Sequence, residues 1–400
     1  MKEIEAYRRL SDILNKLQPY AIDLSLERIK SFLNKIGNPQ NSFKSIIIGG
    51  TNGKGTLSQF LSDAFIARNI KTGTYTSPHL IDLNERFRIN NKPASYCRLL
   101  DVALKIERIN SVNLTYFEFL TAVAFELFKQ EKTEVAVLEV GMGGEFDATN
   151  VVNPMVSVIT RISSDHTEHL GKTVETIAKT KSKIIKNVGV IGKNSKKVTD
   201  EIRRNTSAKL FFVDESHLNK AKRMNTIMKG TAAKENTATA LLTIEVLNKL
   251  YGYNLDYKAI ENSFWQGRFE VIKTKNKTFI LDGAHNKGAT LKLVLSLKNY
   301  SSKLLIFSAL KSKDWKNSLK LLFPHFEKII LTPIAEHRLS EDVNSIKNAI
   351  DKQKKVITAK NVNDAIIKAM EYKENTIVIT GSLYLIGEAK ACKIHKEFLP

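Results

Sequence analysis

The stretch SIIIGGTNGKGTLSQFLSDAF, from Ser45 to Phe65, predicts a buried strand, a glycine-rich turn and then a helix. The glycines permit backbone conformations with positive φ, so several amide N–H groups can approach one anion closely. The helix, predicted to start near Thr56, directs the positive end of its dipole at the same point. The stretch therefore predicts a loop that holds the phosphates of a nucleotide.

Two side chains of this loop suit phosphate chemistry. Lys54 can reach the β- and γ-phosphates, and the Thr56 hydroxyl can ligate Mg²⁺. The usual pattern is G-x-x-x-x-G-K-[ST], and here Gly55 separates the lysine from the threonine. An ordinary tight turn between strand and helix is the alternative. The predicted nucleotide-binding residues of the loop are Thr51, Asn52, Gly53, Lys54, Gly55 and Thr56.

The remaining sequence alternates helical patterns with short apolar runs, which predicts an α/β protein with a mainly parallel sheet. A chain of 400 residues favours two domains. The strand–turn–helix pattern begins again after WQGRFE. We place the domain boundary in the charged stretch KTKNK, which follows two residues later. We therefore predict an ATP-binding domain over residues 1–274 and a C-terminal domain over residues 275–400.

Composition narrows the class of protein. No apolar run approaches the roughly 18–20 residues of a membrane span, and two distant cysteines favour a reducing cytoplasm. The formal net charge of +21 raises nucleic-acid binding as an alternative. The lysines are spread along the chain without interleaved aromatic residues, which favours small anionic substrates instead.

Several motifs carry a resemblance to one family. GTNGKGT is similar to the ATP loop of the Mur-ligase superfamily, and specifically of its folylpolyglutamate synthase/dihydrofolate synthase family. Further motifs resemble that family in the same order along the chain. They are YTSPHLIDLNERFRIN, LEVGMGGEFDATN, ITRISSDHTEHLGKTVETIAKTKSKIIK, WQGRFEVI, LDGAHN and TGSLYLIGE.

The resemblance implies a fold and a reaction. It implies an N-terminal P-loop ATPase domain of Mur-ligase type with a mainly parallel sheet, plus a smaller Rossmann-like C-terminal α/β domain. It implies that ATP, bound between the domains, phosphorylates a carboxylate and that the amine of L-glutamate attacks the acyl phosphate. The implied substrates are dihydropteroate, folates and L-glutamate, and we expect a cytoplasmic monomer without nucleic-acid or membrane partners.

The resemblance also implies a metal site with two Mg²⁺ ions. Glu139 ends the apolar strand VAVLEV, where ligands lie in open α/β sheets, although a surface salt bridge is the alternative. By resemblance, Lys181 is a candidate for carbamylation. The implied metal ligands are Thr56, Ser77, Glu139, His166 and Lys181, and the implied catalytic residues are Lys54, His166, Lys181 and His285.

Further residues are assigned to nucleotide and substrate by resemblance. The resemblance assigns nucleotide contacts to Asn236, Arg268 and Asp282. For Arg268, an inter-domain ion pair is the alternative. The implied substrate-binding residues are Asp23, Arg86, Asp147, His285 and Ser382. The segment AIDLSLERI resembles family members that act on dihydropteroate, although Asp23 also fits a plain helix N-cap.

The sequence departs from the family pattern at two positions. Glu145 replaces an arginine, and Ala233 stands where the family has a glutamine. These departures bear on substrate preference and nucleotide-base contacts. Two other classes remain open: a peptidoglycan-type Mur ligase, which typically has a further N-terminal domain, and a P-loop nucleotide-binding or nucleic-acid-associated protein without ligase activity.

Overall fold

The computed structural model describes residues 2–17, 25–165, 167–335, 339–350 and 355–392. Contacts divide the chain into two compact units. Unit 1 comprises Met1–Ile162, Leu170–Asn225 and Glu235–Ser263, and unit 2 comprises Ser163–His169, Thr226–Lys234 and Phe264–Pro400. Among the described helices, none is both long enough and apolar enough to cross a membrane.

Unit 1 is built on an eight-stranded sheet, counted over the described residues, in the order β4-β3-β2-β5-β1-β6-β7-β8. The pairs β2–β3 and β3–β4 are antiparallel and the others are parallel, so the predicted mainly parallel sheet is confirmed. Its strands are β1 (Lys44–Gly49), β2 (Thr72–Tyr75), β3 (Phe87–Ile89), β4 (Lys92–Pro93), β5 (Val135–Glu139), β6 (Val156–Ile159), β7 (Val188–Ile191) and β8 (Lys209–Phe212).

Helices cover this sheet and bury its apolar strands. The helix Tyr116–Gln130 begins with a capping box, in which the side chains of Thr115 and Glu118 each accept the backbone N–H group of the other residue. In chain order, the helices from α1 to α10 are α1 (Glu3–Asn15), α2 (Glu27–Lys35), α3 (Lys54–Ile66), α4 (Tyr96–Ile109), α5 (Tyr116–Gln130), α6 (Thr167–Leu170), α7 (Val174–Ser182), α8 (Lys196–Arg204), α9 (Glu215–Arg223) and α10 (Thr231–Tyr251). Residues 167–169 of α6 and 231–234 of α10 belong to unit 2.

The strand β1 lies between β5 and β6, and its three isoleucines are fully buried because both faces of the sheet are covered. In the β1–β5 register, Ile48 lies opposite Glu139. The last residue of β5 therefore lies beside the point where β1 passes into the glycine loop. This register brings two sequence motifs, far apart in the chain, to one edge of the sheet.

Unit 2 has a six-stranded sheet, within the described residues, in the order β13-β12-β11-β14-β10-β9. Only the β9–β10 pair is antiparallel. Its strands are β9 (Glu270–Lys273), β10 (Thr278–Asp282), β11 (Lys303–Phe307), β12 (Lys328–Leu331), β13 (Lys355–Thr358) and β14 (Thr376–Thr380). Its later helices are α11 (Lys287–Ser296), α12 (Trp315–Leu322), α13 (Val343–Asn348), α14 (Val362–Glu371) and α15 (Leu383–Ala391).

Two local features differ from the sequence-based expectations. The α3 helix begins at Lys54 rather than near Thr56, because Gly53 adopts a φ of +95° and acts as its N-cap. The strand β9 (Glu270–Lys273) precedes the predicted domain boundary at residue 274. It nevertheless pairs with β10, so it belongs to the sheet of unit 2. The functional boundary at residue 274 stays a prediction.

Candidate active site

The glycine loop of unit 1 is shaped by two residues with positive φ, Gly50 at +132° and Gly53 at +95°. A β-carbon added at Gly50 would lie 1.9 Å from Thr160 Oγ1, and one at Gly53 would lie 2.2 Å from Asn236 Oδ1. Neither position has room for a side chain. The fold therefore brings Asn236, a predicted nucleotide contact on α10, directly against the loop.

Two lysines meet at the start of the same loop. Lys54 Nζ lies 3.4 Å from Gly50 O and 3.5 Å from Thr51 O. Lys181, only 5% exposed, donates from Nζ to Gly50 O at 3.0 Å and to Gly143 O at 3.4 Å. Two ammonium groups thus lie close to one carbonyl oxygen, which makes this end of the sheet suitable for an anion.

The loop is also hydrogen-bonded to the segment that follows β6. The backbone N–H groups of Thr51 and Asn52 both donate to Arg161 O, at 2.9 and 3.3 Å. Leu57 N–H donates to Gly53 O at 2.9 Å, which closes the first turn of α3. Thr56 lies in that turn and is 3% exposed. The predicted nucleotide-binding loop is therefore held by the segment that follows β6 on one side and by α3 on the other.

Glu139 is a buried carboxylate at the same edge of the sheet. It is 5% exposed, and its Oε2 accepts the backbone N–H of Ser77 at 3.3 Å. A carboxylate and hydroxyl groups are ligands that Mg²⁺ prefers, so Glu139, Ser77 and Thr56 fit a magnesium site in their chemistry. No cluster of three or more His, Cys, Asp or Glu residues suited to a metal occurs in the described part of the chain, and His166 lies outside it.

Arg86 and Asp147, both predicted to bind substrate, are buried in unit 1. Arg86 donates from Nε to His79 Nδ1 at 2.9 Å, and burial, reinforced by the Arg86 charge, lowers the pKa of His79 to about 3. Asp147 accepts the backbone N–H groups of Met142 at 2.9 Å and Thr149 at 3.0 Å. Burial raises the pKa of Asp147, and these hydrogen bonds oppose the rise. Both residues have structural partners.

Three further positions come from the sequence analysis: the predicted substrate residue Asp23, and Glu145 and Ala233, where the sequence departs from the family pattern. Asp23 lies outside the described residues, and α2 begins at Glu27. Glu145 is half-buried, and its backbone carbonyl accepts Asn150 Nδ2–H at 3.1 Å. Ala233 is 6% exposed in the first turn of α10.

In unit 2, the predicted nucleotide contacts Arg268 and Asp282 act on each other. Asp282 ends β10 and accepts the backbone N–H groups of Phe269 at 2.8 Å and Ala284 at 2.9 Å. Burial raises the pKa of Asp282, while the positive charge of Arg268 opposes the rise. The pair is therefore brought together within one unit.

The predicted glutamate-side residues of unit 2 differ in character. Ser382 is 2% exposed and caps α15, since its Oγ accepts Tyr384 N–H at 3.2 Å, which is a structural role. His285 Nδ1 lies 2.8 Å from Gly283 O, so this nitrogen carries the hydrogen. Burial lowers the pKa of His285, and Asp165 opposes this shift.

Sequence reasoning missed a cluster around Asp165. Its Oδ1 accepts Lys313 Nζ–H at 2.8 Å, and its Oδ2 accepts Asn286 Nδ2–H at 3.1 Å. Lys313 also lines an open groove of about 770 Å³ in unit 2, together with Lys311 and Lys316 among others. The sequence contains only weak signals for this cluster. Asp165 adjoins His166, Asn286 ends the motif LDGAHN, and Lys313 follows a predicted strand.

A phosphate-type loop with lysines at its base in unit 1, and a second α/β unit with polar loops after its strands, fit an ATP-using ligase of the Mur type. The family model for the Mur ligase middle domain matches residues 48–254, and that for the Mur ligase glutamate ligase domain matches residues 267–383. A protein of Schizosaccharomyces pombe named as a probable dihydrofolate synthetase is 32% identical, over 92% of this chain and 97% of its own. The chain belongs to the folylpolyglutamate synthase/dihydrofolate synthase family of ATP-dependent ligases.

Solved structures agree with this conclusion. The structure of E. coli FolC in complex with DHPP and ADP has a TM-score of 0.84 and 25% identity, over 97% of this chain and 98% of that one. A bifunctional folylpolyglutamate synthase/dihydrofolate synthase with Mn, AMPPNP and L-glutamate bound has a TM-score of 0.83 and 27% identity, over 96% and 98% of the two chains. The predicted family and fold class are confirmed.

Proposed function

We propose that this chain uses ATP to join L-glutamate to dihydropteroate and to the glutamyl tail of folates. The carboxylate of the acceptor attacks the γ-phosphorus of ATP, giving an acyl phosphate and ADP. The amine of L-glutamate then attacks the acyl carbon, forming the amide and releasing phosphate. The observation that carries this proposal is the arrangement of Lys54 and Lys181 at the base of the glycine loop, beside the end of β5.

In this proposal, unit 1 supplies the phosphoryl-transfer groups. The backbone N–H groups at the start of α3 hold the phosphates, and the Lys54 ammonium turns from the carbonyls of Gly50 and Thr51 towards the γ-phosphate. Phosphoryl transfer depends mainly on positioning and on positive charge near the transferring group. The packing of Asn236 against Gly53 supports our assignment of this residue to the nucleotide that the loop holds.

A divalent metal is supported by the complex with Mn and AMPPNP that a related structure contains. When bound, Mg²⁺ would neutralise phosphate charge, and Thr56, Ser77, Glu139 and His166 are the residues we assign to hold it. We also propose a second Mg²⁺ ion at this site. Carbamylation of Lys181 would replace an ammonium that now donates to two carbonyls with an anion, so these contacts would have to change. Intact-protein mass spectrometry under bicarbonate tests the modification.

The two acceptors are supported by relatives rather than by one residue. The S. pombe relative is named for dihydrofolate synthesis, and the E. coli FolC structure contains DHPP. A Bacillus subtilis relative, 28% identical over 96% of this chain, is named for both activities. We assign Arg86 and Asp147 to the acceptor, and His285 and Ser382 to L-glutamate. A monomer in the cytoplasm remains our expectation.

The test is phosphate release from Mg-ATP and L-glutamate with dihydropteroate, with tetrahydrofolate, or with no acceptor. We expect turnover with both acceptors, and a product heavier by one glutamyl unit in mass spectrometry. Turnover with only tetrahydrofolate would remove the dihydrofolate synthase half of the proposal. Phosphate release that does not depend on glutamate or acceptor would overturn the proposed function.

A further inference from the structure

Among the described residues, the side chain of Asp165 lies beside polar groups of Lys313, Asn286 and His285 in unit 2. It is 9% exposed; its Oδ1 lies 2.8 Å from Lys313 Nζ and its Oδ2 lies 3.1 Å from Asn286 Nδ2. His285 Nε2 lies 3.7 Å from the same Oδ2. One largely buried carboxylate is therefore shared by a cation, an amide and an imidazole.

These neighbours come from two different loops. His285 and Asn286 follow β10, whereas Lys313 follows β11, and β14 separates these two strands in the sheet. Both loops leave the carboxyl edge of the sheet, which is where ligands bind in open α/β sheets. Asn286 is anchored further, because its Oδ1 caps α11 by accepting Ala289 N–H at 2.9 Å. The carboxylate thus cross-links two loops at a ligand-binding edge.

Stability alone does not explain this arrangement. A buried ion pair loses most of its attraction to the cost of desolvation, and apolar replacements are often equally stable. What such a pair does supply is a fixed direction for each partner, since both are hydrogen-bonded. The His285 ring is held from both sides, by Gly283 O at Nδ1 and by Asp165 facing Nε2.

We propose that Asp165 is a positioning residue, which fixes Lys313 and His285 for the L-glutamate half of the reaction. This inference rests on the proposed function, because that function assigns His285 to L-glutamate. The groove beside Lys313 is lined by three lysines and two carboxylates, so it offers an opposite charge both to the carboxylates and to the ammonium group of an amino acid. Asp165 then acts through its neighbours and does not itself touch the substrate.

The test is a double-mutant cycle with Asp165→Asn, Lys313→Met and the double variant. For each single variant we expect the KM for L-glutamate to rise about 10- to 100-fold, and the KM for ATP to stay within about 2-fold. The double variant should rise no more than about the larger single effect, because the same interaction is removed once. Lys313→Met keeps the test open if Asp165→Asn folds poorly.

Glu374→Gln is the matched control. Glu374 forms an ion pair with Lys328 in the same unit, and its length of 2.8 Å equals that of the Asp165–Lys313 pair. Glu374 precedes β14 and Lys328 begins β12, so this pair lies at the amino edge of the sheet. The control variant should leave the KM for L-glutamate unchanged. The positioning role would be overturned if the KM values for ATP and L-glutamate rose equally. It would also be overturned if the rise in the double variant equalled the product of the two single rises. A wild-type protein without glutamate-dependent turnover would instead overturn the proposed function.

Discussion

Replacing Gly53 by alanine tests whether the glycine loop depends on its contact with Asn236. A non-glycine residue at a φ of +95° costs about 1–2 kcal/mol in backbone strain. The new β-carbon would also lie 2.2 Å from Asn236 Oδ1 and 2.7 Å from its Nδ2, so the amide or the loop must move. Overpacking of this kind costs about a further 1–3 kcal/mol. We expect a loss of about 2–5 kcal/mol in the free energy of unfolding.

A second glycine of unit 1 separates strain from contact. Gly252 has a φ of +70°, and a β-carbon there would meet nothing within 4 Å. Gly252→Ala therefore carries only the backbone cost of about 1–2 kcal/mol. Urea unfolding measures both variants, and steady-state kinetics gives the KM for ATP. We expect this KM to rise about 10-fold or more for Gly53→Ala only, since the loop can no longer approach the phosphates. Equal losses of stability and equal KM values in the two variants would refute the reasoning.

Three further variants address the other parts of unit 1. Lys54→Ala should lower kcat/KM about 10²- to 10³-fold in a phosphate-release assay, because it removes positive charge from the transferring group. Lys44→Ala, at the other end of β1, is its control, and similar activities would contradict the phosphate role. Glu139→Gln should raise the Mg²⁺ concentration for half-maximal activity, whereas an unchanged magnesium titration would argue against a ligand role. Asp147→Ala should lower the free energy of unfolding by about 3 kcal/mol, since buried donors lose their acceptor; wild-type stability in urea would show that the carboxylate is dispensable.

Much of the fold could be predicted because its signals are local. The apolar runs around Ile46–Ile48 and Val135–Leu138 became buried parallel strands. The helix over Tyr116–Gln130 has a local signal of the same kind, because its N-terminus carries a capping box formed by Thr115 and Glu118. Glu139 illustrates how a site follows from such signals, because a charged residue at the end of a buried strand must emerge at the carboxyl edge.

The rest could not be predicted because it depends on pairing between distant segments. The strands β3 and β4 have only three and two residues, which is too short for an apolar pattern to indicate a strand. The Asp165–Lys313 pair joins residues 148 positions apart. Ser382 shows the opposite limit, since a residue assigned to substrate by a motif also has a complete structural explanation as a helix cap.

The loop geometry depends on residues from several parts of unit 1, and Gly50 is where they meet. Its carbonyl oxygen receives contacts from Lys54 and Lys181, while Thr160 occupies the space that a β-carbon would need. The overall charge of +21 would attract any anion to the protein. Selectivity for a phosphate chain requires more, namely cations at fixed positions relative to free amide N–H groups. Since one backbone carbonyl contacts both lysines, the same glycine that lets the loop approach an anion also keeps two positive charges next to the loop.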